Sequence, residues 1–369
     1  MHPKINSENT STPTVTPITQ RKKSKPLKPK PACKRKVKPR VDEHGKLEAV
    51  TAVMDHAPVH GVYVFTNGLF RPIQNGSRQS GSHVDGKYTS GTSTVHCHWD
   101  SAEALDITDQ SVLFYLCQLG AIKKRQTVVD MKDWDAVNAE NKPTAPKDNR
   151  RVAKLLQLAG AGRYLPLVAI TATAAEIAKG IGLSSTGSNS KTVLNSLERL
   201  SKTKMTRTVC NPTDPSTNGI GMTTVIGMVV QAKRKIAIAL NAELSNRCTN
   251  HEGVVWINMQ EQRALESKPA KRLHAWLSAW ACQYDKKTIG MELLPAHIYG
   301  PLEGTASAIH SRLDTARTAV REIAALPGWH FSVNIKSDQL KVRKPLFVGT
   351  DAEAAFTALA SATTENKSL

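Results

Sequence analysis

The chain has 369 residues, and its 50 Lys and Arg against 31 Asp and Glu give a formal net charge of +19. A positive field of this size attracts phosphate groups, so nucleic acid is the first class of partner to consider. No run approaches the roughly 20 apolar residues that span a bilayer, and the polar start of the chain lacks the apolar core of a signal peptide. We therefore expect a cytoplasmic protein with no membrane partner.

Two classes of site are not indicated by the sequence. The six cysteines are scattered without a C-x-x-C pair, which argues against a zinc finger or a disulfide framework. The segments GAGR at Gly160 and GSNSKT at Gly187 lack the G-x-x-x-x-G-K-S/T spacing that cradles nucleotide phosphates. We expect no cofactor, no metal ion and no enzymatic activity.

Composition divides the chain into four predicted segments. Residues 1–55 form a basic arm, in which RKKSKPLKPKPACKRKVKPR from Arg21 to Arg40 has no acid and four prolines, a composition that predicts disorder. The arm is interpreted as a source of non-specific phosphate attraction, with a solubilising tail as the alternative. Residues 56–235 and 236–348 are predicted to be two folded domains, and residues 349–369 a flexible tail.

The first half of the first domain is predicted from alternation and turn signals. VYVF from Val62 predicts a strand, a polar Gly/Ser loop is expected from Gln74 to Gly86, and Lys87 to Trp99 predicts a second strand. The stretch QSVLFYLCQLGA, with an N-cap at Thr108, predicts the first core helix. The charged segment from Lys123 to Arg151 is predicted to be an insertion or long loop.

The second half of this domain has a helix-turn-helix layout. AAEIAKGIGL, capped by Thr173, is followed by the turn SSTGSNS and the helix KTVLNSLERLSK, and a second helix of this kind fits the major groove. Its apolar side chains are predicted to pack inward, namely Val193, Leu194, Leu197 and Leu200. Its predicted DNA-facing side chains are Asn189, Lys191, Thr192, Asn195 and Arg199. Strand-like segments follow, with a basic turn of Lys233, Arg234 and Lys235, so the unit is predicted to be a winged helix.

The same order recurs in the second domain: VVWINM, KPAKRLHAWLSAWAC, MELLPAHIYG, PLEGT, ASAIHSRLDTARTAVREIAAL and WHFSVNIKSDQLKVRK. The long helix carries a predicted buried stripe of Ile309, Leu313, Ala316, Val320 and Ile323. Its predicted DNA-facing residues are Ser307, His310, Ser311, Arg312, Thr315 and Arg317. The predicted backbone contacts of the hairpin are Lys336, Lys341, Arg343 and Lys344. The fold class is therefore predicted to be α+β, with two tandem winged-helix domains behind a disordered basic arm.

Some of these residues have plainer interpretations. Arg312 and Arg317 would donate to guanine or phosphate, and a solvated surface arginine is the alternative for each. Trp276 and Trp280 are four residues apart on a helix and are predicted to pack in the core, not to stack on bases.

Several segments resemble one known family when taken in order. GLFR, LCQLGA, AAEIAKGIGL with LERL, RKIAIALNAEL, KRLHAWLSAW and TARTAVREIAALPGW are similar to the RepC-type initiators of IncQ-like plasmids, from about Gly61 to Lys344. The resemblance implies binding to directly repeated iterons in double-stranded DNA and melting of an adjacent AT-rich segment. It also implies a plasmid- or host-encoded replicative helicase and primase as partners, self-association as a dimer through strands of the first domain, and a bacterial protein associated with the nucleoid or plasmid. Relatives have a more basic segment where this chain has His310, Ser311 and Leu313, which predicts a different iteron.

Two other functions stay open. A winged-helix transcriptional regulator would use the same architecture, and the fold alone does not separate the two. His96 and His98 lie on one face of a predicted strand, like the His-x-His metal site of rolling-circle nicking initiators, which also need a tyrosine such as Tyr115. The sequence has no acidic or histidine third ligand in a recognisable position.

Overall fold

The structure, a computed structural model, describes residues 55–73, 78–90, 93–122, 125–129, 167–230, 235–251, 253–281, 286–334 and 337–345. Its strands are β1 (His56–His60), β2 (Ser80–Ser90), β3 (Ser93–Glu103), β4 (Gln126–Val129), β5 (Leu167–Thr173), β6 (Lys204–Cys210), β7 (Gly219–Thr224), β8 (Ile226–Val230), β9 (Lys235–Leu240), β10 (Val254–Asn258), β11 (Lys287–Gly290), β12 (His330–Asn334) and β13 (Gln339–Arg343). Its helices are α1 (Gly61–Phe65), α2 (Ile107–Ala121), α3 (Ala174–Gly180), α4 (Gly187–Lys202), α5 (Ala242–Asn250), α6 (Met259–Ala264), α7 (Lys268–Trp280), α8 (Leu294–Tyr299) and α9 (Ala306–Ala324).

The named strands pair antiparallel in four sheets. Two sheets have four strands, in the orders β2-β3-β6-β7 and β4-β5-β9-β8. A three-stranded sheet has the order β11-β13-β12, and β1 pairs with β10 alone. The fold is therefore a mixture of helices and antiparallel sheets, in agreement with the class predicted from the pattern. The predicted basic arm and the tail after residue 348 lie outside the described residues.

The start of the folded region differs from the sequence prediction. The VYVF segment is not a strand: it lies in α1, because β1 has ended at His60, whose side chain accepts a hydrogen bond from the backbone N of Val62. The predicted Gly/Ser loop is wrong from residue 80 onward, since β2 pairs along its length with β3. The segment from Lys87 to Trp99 was predicted to be one strand. It contains the end of β2 and the beginning of β3, which pair as a hairpin.

Helix α2 lies at the centre of the first core. It begins one residue before the predicted cap, since Asp106 is the N-cap and shares a capping box with Asp109. Leu113, Phe114 and Leu116 are fully buried, and the surrounding elements include β1, α4, α5 and α6. The expected loop from Lys123 contains strand β4, which pairs with β5; the rest of that segment lies outside the described residues.

A second core forms around α7, α8, α9 and the three-stranded sheet. Trp276 is buried and stacks on Trp280 at 5.1 Å between ring centroids and on His297 at 3.8 Å, which confirms the predicted packing role. Apolar side chains of α9 face this core, among them Ala316, Val320 and Ile323. Leu313 is partly buried against the same cluster.

The two cores meet across α7. Arg272 is fully buried between them and donates from Nη2 to the backbone O of Thr66 at 3.0 Å, and burial lowers its pKa to about 10. On the neighbouring helix, His297 contacts Asn67 at 3.1 Å. The first core includes residues as far along the chain as Ala275, whereas the second begins with Leu265. The domain boundary at 235/236 stays a prediction.

Candidate nucleic-acid interface

A short helix, a tight turn and a longer helix form the first part of the candidate interface. Thr173 caps α3 by accepting from the backbone N of Glu176, and Thr186 caps α4 by accepting from the backbone N of Asn189. Between them Gly182 has φ +88°, a left-handed conformation that closes the end of α3. The Asn189 amide donates to the backbone O of Ser184 at 2.9 Å, so this predicted DNA contact also fastens the turn.

The outer face of α4 carries fewer of the predicted DNA-facing residues, and fewer cations, than the sequence indicated. Lys191 and Asn195 are exposed as expected, and Thr192 is half-exposed with its hydroxyl donating to the backbone O of Ser188. Leu194 is not inward: 38% of it is exposed, and the polar Ser196 takes the inward position instead. The helix therefore offers one cation and one amide in its middle turns.

Arg199 does not belong to this outer face. Only 15% of its side chain is exposed, and its Nη2 donates to Oδ1 of the fully buried Asp109 at 2.8 Å. Ser196 donates to the same oxygen at 2.6 Å, and Arg78 donates to the other at 3.3 Å. Burial and the Asp106 carboxylate raise the pKa of Asp109, while Arg199 opposes that rise. The prediction that Arg199 faces outward is wrong. Its positive charge pairs with the buried Asp109 carboxylate on α2, which would be destabilising to the fold if it were left without a cation.

Strands β6 and β7 form an antiparallel hairpin after α4. In the next hairpin, β8 and β9, the predicted basic turn is only partly described: Lys235 is exposed at the start of β9, and Lys233 and Arg234 lie outside the described residues. Strand β7 is at the edge of its sheet and exposes two apolar side chains, Ile220 at 76% and Met222 at 49%.

The second part of the candidate interface repeats this order. Helix α8 ends at Tyr299 and is followed by Gly300 as its C-cap, with φ +88°. Thr305 caps α9 by accepting from the backbone N of Ala308 at 3.3 Å. Ser307, His310 and Ser311 are exposed on the first turns of α9, as predicted. A surface groove runs along this face, lined by Ser307, His310, Ser311, Asp314, Thr315 and Thr318.

Arg312 is held at the start of α9. Its Nη1 donates to the backbone O of Glu303 at 3.0 Å, and its guanidinium lies 5.5 Å above the ring of Tyr299. The Tyr299 hydroxyl is hydrogen-bonded to Thr315, so that predicted contact is also tied to α8. Both side chains thus have partners within the protein, which restricts their conformations and reduces the entropy that binding would cost.

Asp314 is an acid in the middle of the face that was predicted to bind DNA, and the sequence interpretation missed it. Its carboxylate lies 3.5 Å from Nε2 of His310 and 3.2 Å from Nη1 of Arg317. Arg317 also lies 3.8 Å from Asp338 at the tip of the following hairpin. A carboxylate repels phosphate but accepts a hydrogen bond from cytosine N4, so this face is suited to base edges more than to the backbone.

Hairpin β12–β13 follows α9. Lys341 is exposed on β13 and Arg343 is half-buried, so they differ in their access to a ligand. Lys344 donates from Nζ to the backbone O of Ser278, which anchors the end of the hairpin to α7. Lys336 lies outside the described residues.

The two parts of the interface are connected through α6. Arg263 donates from Nη1 to the backbone O of Gly180 at 3.1 Å, and its stem lies against Gly182 in the first turn. Glu261 accepts from His274 at 2.6 Å and from Nε1 of Trp329 at 2.9 Å, next to the hairpin of the second part. The short helix α6 thus contacts both parts of the candidate interface.

A family match identifies the chain. The model of the family described as replication protein C (RepC) matches residues 51–345. The chain belongs to the RepC family. The resemblance predicted from the sequence is confirmed, and the protein is a plasmid replication initiator of the RepC type.

This RepC protein is also similar to two crystal structures of domains 2 and 3 of RctB. The structure of the selenomethionine derivatives has a TM-score of 0.43 and 9% identity, covering 75% of this chain and 95% of that one. The other has a TM-score of 0.41 and 9% identity, covering 74% and 93%. The comparison with curated proteins found no match. Among the described residues of this RepC protein, no helix is long and apolar enough to cross a bilayer.

The residues proposed for nicking have different surroundings in this RepC protein. His96 and His98 lie on the same side of β3, as the alternation predicts. Tyr115 is half-buried on α2, with its ring where a Cβ of Gly180 would be. Burial raises the pKa of the Tyr115 phenol, which disfavours the phenolate that a nucleophile requires. Tyr115 packs against the first core.

Proposed function

We propose that this RepC protein initiates plasmid replication by binding directly repeated iterons in double-stranded origin DNA through two winged-helix domains. In this proposal α4 and α9 are the recognition helices, and the hairpins β6–β7 and β12–β13 are the wings beside them. The observation that carries the proposal is the repeated order of short helix, glycine turn, capped helix with a polar outer face, and antiparallel hairpin.

The charge distribution supports a division of labour between the helices and the rest of the chain. The outer faces of α4 and α9 carry few unpaired cations, since Arg199 and Arg317 are engaged by Asp109 and Asp314. Most of the +19 net charge therefore lies elsewhere, and the basic arm alone supplies a run of cations between Arg21 and Arg40. We propose that the arm supplies non-specific affinity and the two helices supply sequence recognition.

Binding energy is sufficient to drive opening in this proposal, so the protein is not proposed to be an enzyme. A protein that holds two successive major-groove faces bends the DNA between them, and occupied neighbouring iterons add strain that favours melting of flexible AT-rich steps. The single strands would then receive a plasmid- or host-encoded replicative helicase and primase.

Self-association is proposed through the edge of the first domain. Ile220 and Met222 are exposed on β7, whose outer edge has no partner strand in the described sheet. An exposed apolar edge pairs readily with a second copy. Sedimentation of Ile220→Lys should give a monomer under conditions where the unchanged protein is a dimer, and an unchanged dimer would exclude this edge.

Footprinting on DNA that flanks the gene tests the origin function. Protected direct repeats beside an AT-rich tract that reacts with permanganate are expected for an initiator. A single protected promoter site without reactive thymines would favour the transcriptional regulator and reject the proposal. Deleting residues 21–40 should leave the protected pattern intact and reduce the dependence of affinity on salt.

The contribution of α9 is tested with a matched pair of variants. Arg312→Ala is expected to weaken binding to the repeats more than binding to random DNA, since a good base-specific pair contributes roughly 1–3 kcal/mol of discrimination. Arg321→Ala removes the same charge from an exposed position in the last turn of α9 and serves as the control. Equal losses on both DNAs would remove Arg312 from the recognition surface.

A further inference from the structure

A cluster of histidines and acids lies on the β2–β3 hairpin, outside the candidate nucleic-acid interface. The antiparallel register places His83 opposite Asp100 and Asp85 opposite His98. Because residues two apart in a strand point to the same side, these four side chains form a block on one face of the sheet. Sequence spacing alone did not reveal it, since two of the four belong to a segment predicted to be a loop.

The distances in this block suit a metal ion. Oδ1 of Asp100 lies 2.5 Å from Nδ1 of His83 and 3.3 Å from Nε2 of His98. One ligand atom from each of the three residues lies within 4.8 Å of the others. Ligands of a tetrahedral zinc ion at about 2.0–2.2 Å are roughly 3.3–3.6 Å apart, so small side-chain rotations would bring the three atoms to bonding distance.

Asp85 supplies the supporting contact that metal-binding histidines usually have. Its Oδ1 lies 2.7 Å from Nδ1 of His98, so Nδ1 carries the proton and donates it to the carboxylate. With Nδ1 occupied by Asp85, the nitrogen of His98 left to bind an ion is Nε2, which lies 3.3 Å from Oδ1 of Asp100. The two imidazole rings are stacked nearly parallel, at 11° and 6.0 Å between centroids, and each would bind an ion through a nitrogen in its own ring plane.

We propose that His83, His98 and Asp100 bind a divalent transition-metal ion, zinc being the best fit, with Asp85 orienting His98 and a water molecule as the fourth ligand. Two imidazoles and one carboxylate are a ligand set for zinc and neighbouring metals, not for magnesium or calcium, which prefer oxygen alone. The site is exposed to solvent, so an ion enters without any change of fold. A bound ion would join β2 to β3 and fix their register.

If no metal ion binds, the same contacts are two surface ion pairs between histidines and acids. Titration with metal ions distinguishes a metal site from such ion pairs. Full-length protein is titrated with zinc chloride by calorimetry and with cobalt chloride by visible absorption. One equivalent of each metal is expected to bind, with the intense cobalt bands of a four-coordinate site. His98→Ala should lower the affinity by more than about 100-fold, and Asp85→Asn by roughly 10–100-fold.

His96→Ala is the matched control. His96 is exposed two residues from His98 on the same side of β3, but it pairs across the hairpin with Lys87 instead of an acid. This variant should bind zinc as the unchanged protein does, and circular dichroism should show all three variants folded. X-ray absorption of the zinc complex should give two imidazoles and additional oxygen ligands. Absence of binding, or equal binding by the His98→Ala and unchanged proteins, would overturn the proposal.

Discussion

Arg199 distinguishes a structural role from DNA recognition more sharply than any other side chain of α4. Replacing it with Ala removes the hydrogen bonds from Nη2 and Nε to Asp109, at 2.8 and 3.2 Å, and leaves that fully buried carboxylate with Arg78 at 3.3 Å and Ser196. Removing one partner of a buried ion pair costs about 3–5 kcal/mol. Because Arg78 remains and Arg199 is not fully buried, we expect a loss near the lower end, about 3 kcal/mol.

Thermal and denaturant unfolding of Arg199→Ala measure this loss, with Lys202→Ala as the control. Lys202 is a cation on the same helix with 61% of its side chain exposed, so its removal should leave the melting temperature unchanged. At a temperature where Arg199→Ala is folded, it should retain the ratio of specific to non-specific DNA affinity. Unchanged stability together with a lower ratio would refute the structural role and restore Arg199 to the DNA contacts.

Three further predictions concern the two helices and the first core. Lys191→Ala should weaken binding to all DNA and lower the slope of log affinity against log salt by about one, whereas Asn195→Ala should lower affinity for the repeats alone; fluorescence anisotropy at several salt concentrations checks both. Asp314→Asn should strengthen binding to random duplexes and relax preference at one base pair, and a binding-site selection that returns the original site would contradict this. His60 has its pKa lowered to about 3 by burial and by Arg247 and Arg207, while the unfolded chain takes up a proton near pH 6.5. The free energy of unfolding should therefore fall as the pH drops below 6.5, by about 1 kcal/mol at pH 5.5 from this residue, and His60→Asn should remove that share of the slope.

Helices α4 and α9 were predictable from the sequence because their apolar residues recur at helical spacing, although α4 begins at Gly187, inside the segment predicted to be a turn. Thr173, Thr186 and Thr305 all cap helices, and the apolar positions of α9 pack largely as the spacing indicated. Short elements were not predictable in the same way. VYVF has the composition of a strand, but α1 forms there because β1 ends at the residue before it and His60 caps the turn.

The candidate interface was predicted in outline and not in its charges. Periodicity gives the side of a helix on which a residue lies. It does not show that a residue at the edge of the apolar face forms an ion pair with a buried acid on another helix. Arg199 bonds to Asp109, which is 90 positions earlier in the chain. The partners of Arg312 and His83 depend in the same way on which elements become neighbours, and no local pattern contains that information.

The pairing of β1 with β10 has consequences for folding during synthesis and for the design of truncated fragments. His56 pairs with Asn258, so β1 is synthesised about two hundred residues before its partner strand β10. A fragment that stops at residue 235 lacks nearly all of β9 together with α5 and β10, and so loses the strand that pairs with Ala57 and Val59. A fragment that continues through α7 includes every buried residue of the first core. Helix α4, the proposed recognition helix of the first domain, therefore packs on a complete core only after synthesis has passed α7.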